Sequence, residues 1–346
     1  MEGALSGVVA VAVIFVLIGA GIFAGWRKWL PPEAARALPR IIVGFGLPCN
    51  VVTSLYDNFV KARDLAQASG QPTQLQSDLV SPWLPIGIAV VTLLVSYLLA
   101  QGAAWLLRIP ETRRGVFTVL FSFSNSVFIG FPIAQALFPD GGMTYAVYYY
   151  LANTTCFWTL GYLSIRRDAD RINGEKSRIG AGEVLKKLVT PPLITIIVMF
   201  GVILSRLHLP QFVLTVCQYG GGLTTPLSLI FTGCMIYEAG IKSLKYERGI
   251  GTAMAGRFVL NPAMCLGICM LVIPLLSSGA SQAQVDELTL MRNVLTTQIG
   301  LPAMTLTVIV SQRYGADVRY ATRGLIWTTL ASLVTIPVTV LLLQVI

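Results

Sequence analysis

Charge is the scarcest feature of this 346-residue chain: Lys, Arg, Asp and Glu make up 12% of it, about half of the ~25% usual for a soluble domain. Hydrophobic residues make up 55% and the mean hydropathy is +0.72, so a water-soluble fold is excluded. Histidine occurs once, at His208, which excludes a multi-histidine metal centre and a Ser-His-Asp relay. The six cysteines all lie in apolar stretches, where free thiols behave as small hydrophobes, and they form neither a zinc spacing nor a disulfide framework. Cys265 and Cys269 stand one helical turn apart with no His or carboxylate nearby, so they read as packing residues and no metal site is expected. No Asp or Glu occupies the middle of an apolar stretch, and Glu238 comes nearest. That absence argues against a membrane-embedded enzyme and leaves proton coupling without an obvious carrier. The amino terminus has no basic leader, and the apolar run 5–25 is too long for a cleavable signal, so it is expected to remain as a first span.

What is present is a series of uncharged runs, most of them near the roughly 20 residues that a bilayer requires. They predict an all-α integral membrane protein with ten spans, at 5–25, 41–56, 80–107, 115–137, 143–165, 188–205, 213–237, 251–276, 290–310 and 324–346. The net charge of +9 does not mark a nucleic-acid groove, because the cations sit in short segments between apolar runs. The connections after odd-numbered spans hold 20 of the 25 Lys and Arg, against three (Lys61, Arg63 and Arg206) in the even-numbered ones. By the positive-inside rule this predicts a multi-pass protein of the cell membrane with both termini outside.

The longest basic connection, 166–190, separates a first unit (1–165) from a second (191–346) with five spans each. An odd number of spans per half makes the halves inverted, a layout common in secondary transporters. Matched helix breakers accompany it: Gly130 and Pro132 in the fourth span, Gly300 and Pro302 in the ninth, and a weaker pair, Gly46-Leu47-Pro48 and Thr224-Thr225-Pro226. Proline removes a helix amide and glycine permits other backbone geometry, so interrupted spans belong inside the protein or beside a watery cavity. Polar residues precede each break: Ser122, Ser124, Asn125 and Ser126 in one, Asn293, Thr296, Thr297 and Gln298 in the other. Together with unpaired amides at a restarting helix they suit a small anion. A plainer account is that the hydroxyls bond their own backbone or let helices approach closely. Arg257 and Arg292 are further candidates to pair an anion, although either side chain is able to reach an interface instead, and Asn261-Pro262 follows Arg257 as another polar break.

In this order, the first span followed by Ala34-Ala35-Arg36-Ala37-Leu38, Gly46-Leu47-Pro48, the stretch 125–132, Tyr314-Gly315-Ala316-Asp317 and the stretch 332–337 resemble the auxin efflux carrier family. That family includes plant auxin exporters and bacterial malate and malonate permeases. The resemblance implies two inverted five-helix repeats whose fourth and ninth helices cross at Pro132 and Pro302, an elevator-like movement, a homodimer, and small carboxylates as substrates. The central connection is short, as in compact prokaryotic members rather than the large plant exporters. Bile-acid-type carriers share a related layout, so a sodium-coupled carrier of amphipathic anions is a second expectation. A channel or sensor is a third. Sodium or proton coupling stays open, and no other cofactor is expected.

Overall fold

The computed structural model describes residues 2–61, 64, 82–174, 181–240, 245, 247–276 and 281–345. Arg63, Lys176, Arg178 and Lys242, cations counted above, lie outside the described residues.

Every regular element among the described residues is helical. In chain order these are α1 (Glu2–Trp26), α2 (Pro32–Ile41), α3 (Leu47–Leu55), α4 (Trp83–Leu106), α5 (Arg114–Ser122), α6 (Phe131–Leu137), α7 (Gly142–Cys156), α8 (Tyr162–Asn173) and α9 (Ala181–Leu188). There follow α10 (Pro191–Leu204), α11 (Gln211–Gly222), α12 (Thr224–Ala239), α13 (Ile250–Ala255), α14 (Asn261–Leu276), α15 (Gln282–Ile299), α16 (Leu306–Tyr314) and α17 (Val318–Val345). Single π-helical turns join α2 to α3 (Ile42–Gly46), α7 to α8 (Phe157–Gly161) and α13 to α14 (Gly256–Leu260); a fourth (Ser126–Gly130) leads into α6, and a fifth (Tyr56–Lys61) extends α3. Such turns absorb an extra residue without breaking the helix.

Among the described residues four helical runs have the length and apolarity to cross a bilayer: Ala37–Lys61, Trp83–Leu106, Ile250–Leu275 and Val318–Leu343. Ser126–Leu137 and Pro191–Leu204 are apolar but shorter, and the 25-residue α1 is apolar over Ala12–Trp26. The runs expected from sequence as the fourth and ninth spans fall short because each is cut in two, at 123–125 and at 300–305. The cut in the fourth span is not at its proline. Pro132 lies inside the continuous helical run Ser126–Leu137, directly after its π turn, which accommodates the missing amide. The chain leaves the helix seven residues earlier, at Ser124 and Asn125. In the ninth span Pro302 does lie in the cut.

The connections gather at two ends. Arg113 pairs with Glu247 at 2.7 Å and with Asp317 at 2.7 Å, Arg323 also pairs with Glu247, and Arg171 donates to the Glu111 carbonyl at 3.0 Å. These tie together the end of α8 and the connections after α4, α12 and α16, which belong to four of the five basic connections. At the opposite end His208 meets Asp64 at 3.1 Å and Tyr145 donates to Glu287 at 2.9 Å. Between the ends lies a core rich in Phe, Tyr, Leu and Ile, while side chains such as Leu98, Trp105, Ile197 and Leu271 project outward from the long helices. Apolar outer faces are what a lipid surround demands.

Candidate functional site

The two cuts cross. Ser124 and Ala303 form an antiparallel bridge: the Asn125 amide donates to the Pro302 carbonyl at 2.8 Å and the Met304 amide to the Phe123 carbonyl at 3.0 Å. One strand-like rung thus replaces the helical bonds each chain gives up. In hydrocarbon each unmet backbone group costs several kcal/mol, and neighbouring side chains meet several more. Asn153 of α7 grips Ser124 on its free edge, accepting from its amide at 3.3 Å and donating to its carbonyl at 2.9 Å. The Ala303 amide donates to Thr328 Oγ1 of α17 at 3.1 Å.

Arg257 is fully buried. Its Nε donates to the Leu120 carbonyl at 2.6 Å, Nη1 to Leu301 at 3.1 Å, and Nη2 to Phe123 at 2.9 Å and Val119 at 3.4 Å. Four of its five N–H donors therefore serve carbonyls at the end of α5 and in the second cut. A guanidinium at a helix carboxyl end also offsets the negative end of the helix dipole. Asn261, one turn on, donates to the Phe121 carbonyl at 2.9 Å. Both side chains stitch the crossover together.

The amino ends of the restarted helices are treated differently. Asn125 caps the turn leading into α6, its Oδ1 accepting from the Phe128 amide at 3.2 Å. Its Nδ2 donates to Thr305 Oγ1 at 3.0 Å, the residue preceding α16. Asn125 and Thr305 together line a cavity of about 430 Å³. The rest of its polar lining is neutral apart from Glu238, with Thr232, Gln312, Thr322 and Thr329 set among Phe231, Met235, Val308, Leu325 and Ile326. Glu238 and Pro39 also line it, and Glu238 is exposed, which places its open side towards the basic connections.

Of the residues nominated from sequence, Asn125 alone lines this cavity among the described residues. Ser124 hydrogen-bonds Tyr149 at 2.7 Å and Ser126 accepts from Asn153 at 3.4 Å. Thr297 bonds the Asn293 carbonyl one turn back, the plainer use of a membrane hydroxyl. Gln298 donates to the Gly130 carbonyl at 2.8 Å, joining the two broken spans a second time. A Cβ on Gly130 would collide with that Gln298 side chain, and one on Gly300 would lie 2.9 Å from Pro262. Thr296 is buried in α15, and Pro132 and Pro302 are buried in their helix turn and cut. Arg292, half-buried, donates to Asn293 at 3.1 Å. Thr305, Thr232, Asn153 and Thr328 went unnominated. Thr305 follows Pro302 closely and was within reach of a sequence reading; the others come from helices that only tertiary packing brings near.

The family described as "Membrane transport protein" matches residues 6–340. An uncharacterized transporter of Methanocaldococcus jannaschii is 23% identical over 328 residues, covering 94% of this chain and 95% of its own. An uncharacterized transporter of Methanothermobacter thermautotrophicus is 25% identical over 337 residues, covering 97% and 96%. With a crossed pair of broken helices beside a polar-ended cavity, and a family match along nearly its whole length, the chain belongs to the membrane transport proteins of the auxin efflux carrier family.

Proposed function

We propose that the protein is a secondary transporter of small organic anions whose carboxylate docks at Asn125 and Thr305. One observation carries this reading: the carbonyl ends at the crossover are occupied by Arg257 and Asn261, whereas the amino ends of the two restarted segments meet the cavity. A helix amino end carries partial positive charge and unpaired amides, so an anion is favoured there without a fixed cation. Malate, malonate and auxin-like acids are the substrate candidates. In this proposal the crossover moves in an elevator-like manner against a scaffold of α1–α3 and α10–α12, within a homodimer in the cell membrane. The basic connections face the cytoplasm and both termini lie outside. Among the described residues Glu238 is the one titratable group on the cavity wall, so proton coupling would run through it, and sodium coupling through carbonyls and hydroxyls.

The apolar wall of Phe231, Met235, Val308, Leu325 and Ile326 supports a second reading, a sodium-coupled carrier of amphipathic anions. Thermal-shift titration of purified protein with malate, malonate, succinate and indole acetate, with and without sodium, separates the two. A ligand raises the midpoint by binding the folded state. The first reading expects one acid to raise it without sodium and Asn125→Ala to abolish the rise; a rise confined to sodium with indole acetate supports the second.

A further inference from the structure

The weaker pair of sequence breaks plays no part in the site, yet its members meet each other. A Cβ on Gly46 would lie 2.5 Å from Thr224 Oγ1, and one on Gly221 would lie 2.6 Å from Asn50 Oδ1. The turn before α3 and the joint between α11 and α12 are thus in near-backbone contact, with no room for larger residues. Gln135 of α6 reaches into this crossing. Its Nε2 donates to Asn50 Oδ1 at 3.1 Å, and its Oε1 accepts from Thr225 Oγ1 at 2.5 Å. One amide therefore bonds both scaffold helices at once. Behind it Asn50 Nδ2, Thr224 Oγ1 and Ser228 Oγ are buried without a hydrogen-bond partner, an arrangement that costs free energy unless those groups find partners in another state.

Gln135 is rigidly linked to the crossover. It lies in the helix that restarts after Asn125, and that helix is tied to α15 through Gly130 and Gln298. Along α12 its partner Thr225 precedes the cavity-lining Phe231 by roughly 9 Å at 1.5 Å per residue, on the side away from Glu238. A shift of the crossover past α3 and α12 has to break both bonds of Gln135.

We infer that Gln135, held by Asn50 and Thr225, is the latch that keeps the passage shut on the side opposite Glu238, and that its release opens that side. The inference rests on the transport reading only in requiring a passage with two sides. Its test needs no substrate, so it stands or falls separately from the choice of anion.

The reporter is Ser228→Cys, a near-isosteric change between latch and cavity, in a background with the six native cysteines replaced. It is assayed with a membrane-impermeant maleimide in right-side-out and inside-out vesicles, and Glu238→Cys calibrates which face is which. With Gln135 present the reporter stays unreactive from both faces. Adding Gln135→Leu, which removes both bonds, is expected to speed labelling about tenfold from the face opposite Glu238 only. Thr225→Val removes one bond at constant shape and should give a smaller increase from the same face. Unchanged labelling in the folded Thr225→Val protein, or faster labelling from the Glu238 face, overturns the inference, including where Gln135→Leu does not fold.

Discussion

Arg257 illustrates how an intramembrane charge is retained by backbone alone. Four carbonyls accept from it; removing it strips Leu120 and Leu301 of that donor and leaves Val119 and Phe123 with only the Phe123 and Met304 amides. Arg257→Leu should lower stability in detergent by about 3 kcal/mol or more, given ~1.5–3 kcal/mol for each hydrogen bond to a charged group, read as a drop in the unfolding midpoint. Arg257→Lys should recover only part of it, because an ammonium has three donors and no planar fork. A Lys variant as stable as the parent would show that charge alone matters. The sequence marked Arg257 as unusual but not its depth, since nine residues beyond Arg248 are compatible with either an interface or the interior. Asn125 was legible because a run of Ser, Asn and Ser is rare in an apolar span. The apolar wall at Phe231 and Leu325 was not, since such residues look the same facing lipid, core or cavity.

Among elements, α5 begins at a buried carboxylate. Asp168, beyond the fifth span, accepts from the Gly115 and Val116 amides at 2.9 and 2.8 Å. Burial outweighs these bonds and pushes its carboxyl up from 3.8 to about 7. Folding therefore takes up a proton between these values, so the stability Asp168 contributes is full below about pH 4 and is lost as pH rises through about 7. Melting profiles from pH 4 to 8 should show that decline reduced in Asp168→Asn, whose neutral amide does not titrate; identical profiles would remove Asp168 from the account. Packing of α1 on α12 depends on Gly233, where a Cβ would lie 2.8 Å from the Gly21 Cα and collide with the Ile18 carbonyl. Gly233→Ala should cost about 1–3 kcal/mol by forcing the helices apart, measurable as a lower midpoint.

The element pattern was legible where length and apolarity coincide, as at Trp83–Leu106 and Val318–Leu343. Proline misled at the fourth span because a π turn just before Pro132 absorbs its missing amide inside a continuous helix. The true cut at Ser124 is held open by Asn153 and Ala303, partners distant in sequence.

At the scale of the whole molecule, three of the basic connections that the sequence sorts to one side are joined by ion pairs through Glu247 and Asp317. That end should label from the cytoplasmic side when single cysteines are placed at Arg108 or Lys245, and labelling from outside would reverse the proposed orientation. In the proposed function a cavity that ends at Asn125 and Thr305 carries an anion past the crossover. The most direct test is uptake of labelled malate, malonate and indole acetate by purified protein in liposomes, beside Asn125→Ala. The account predicts saturable uptake of at least one acid, lost in Asn125→Ala while that variant remains folded. Folded wild-type protein that moves none of them, or an Asn125→Ala variant that transports as well as the parent, would contradict it.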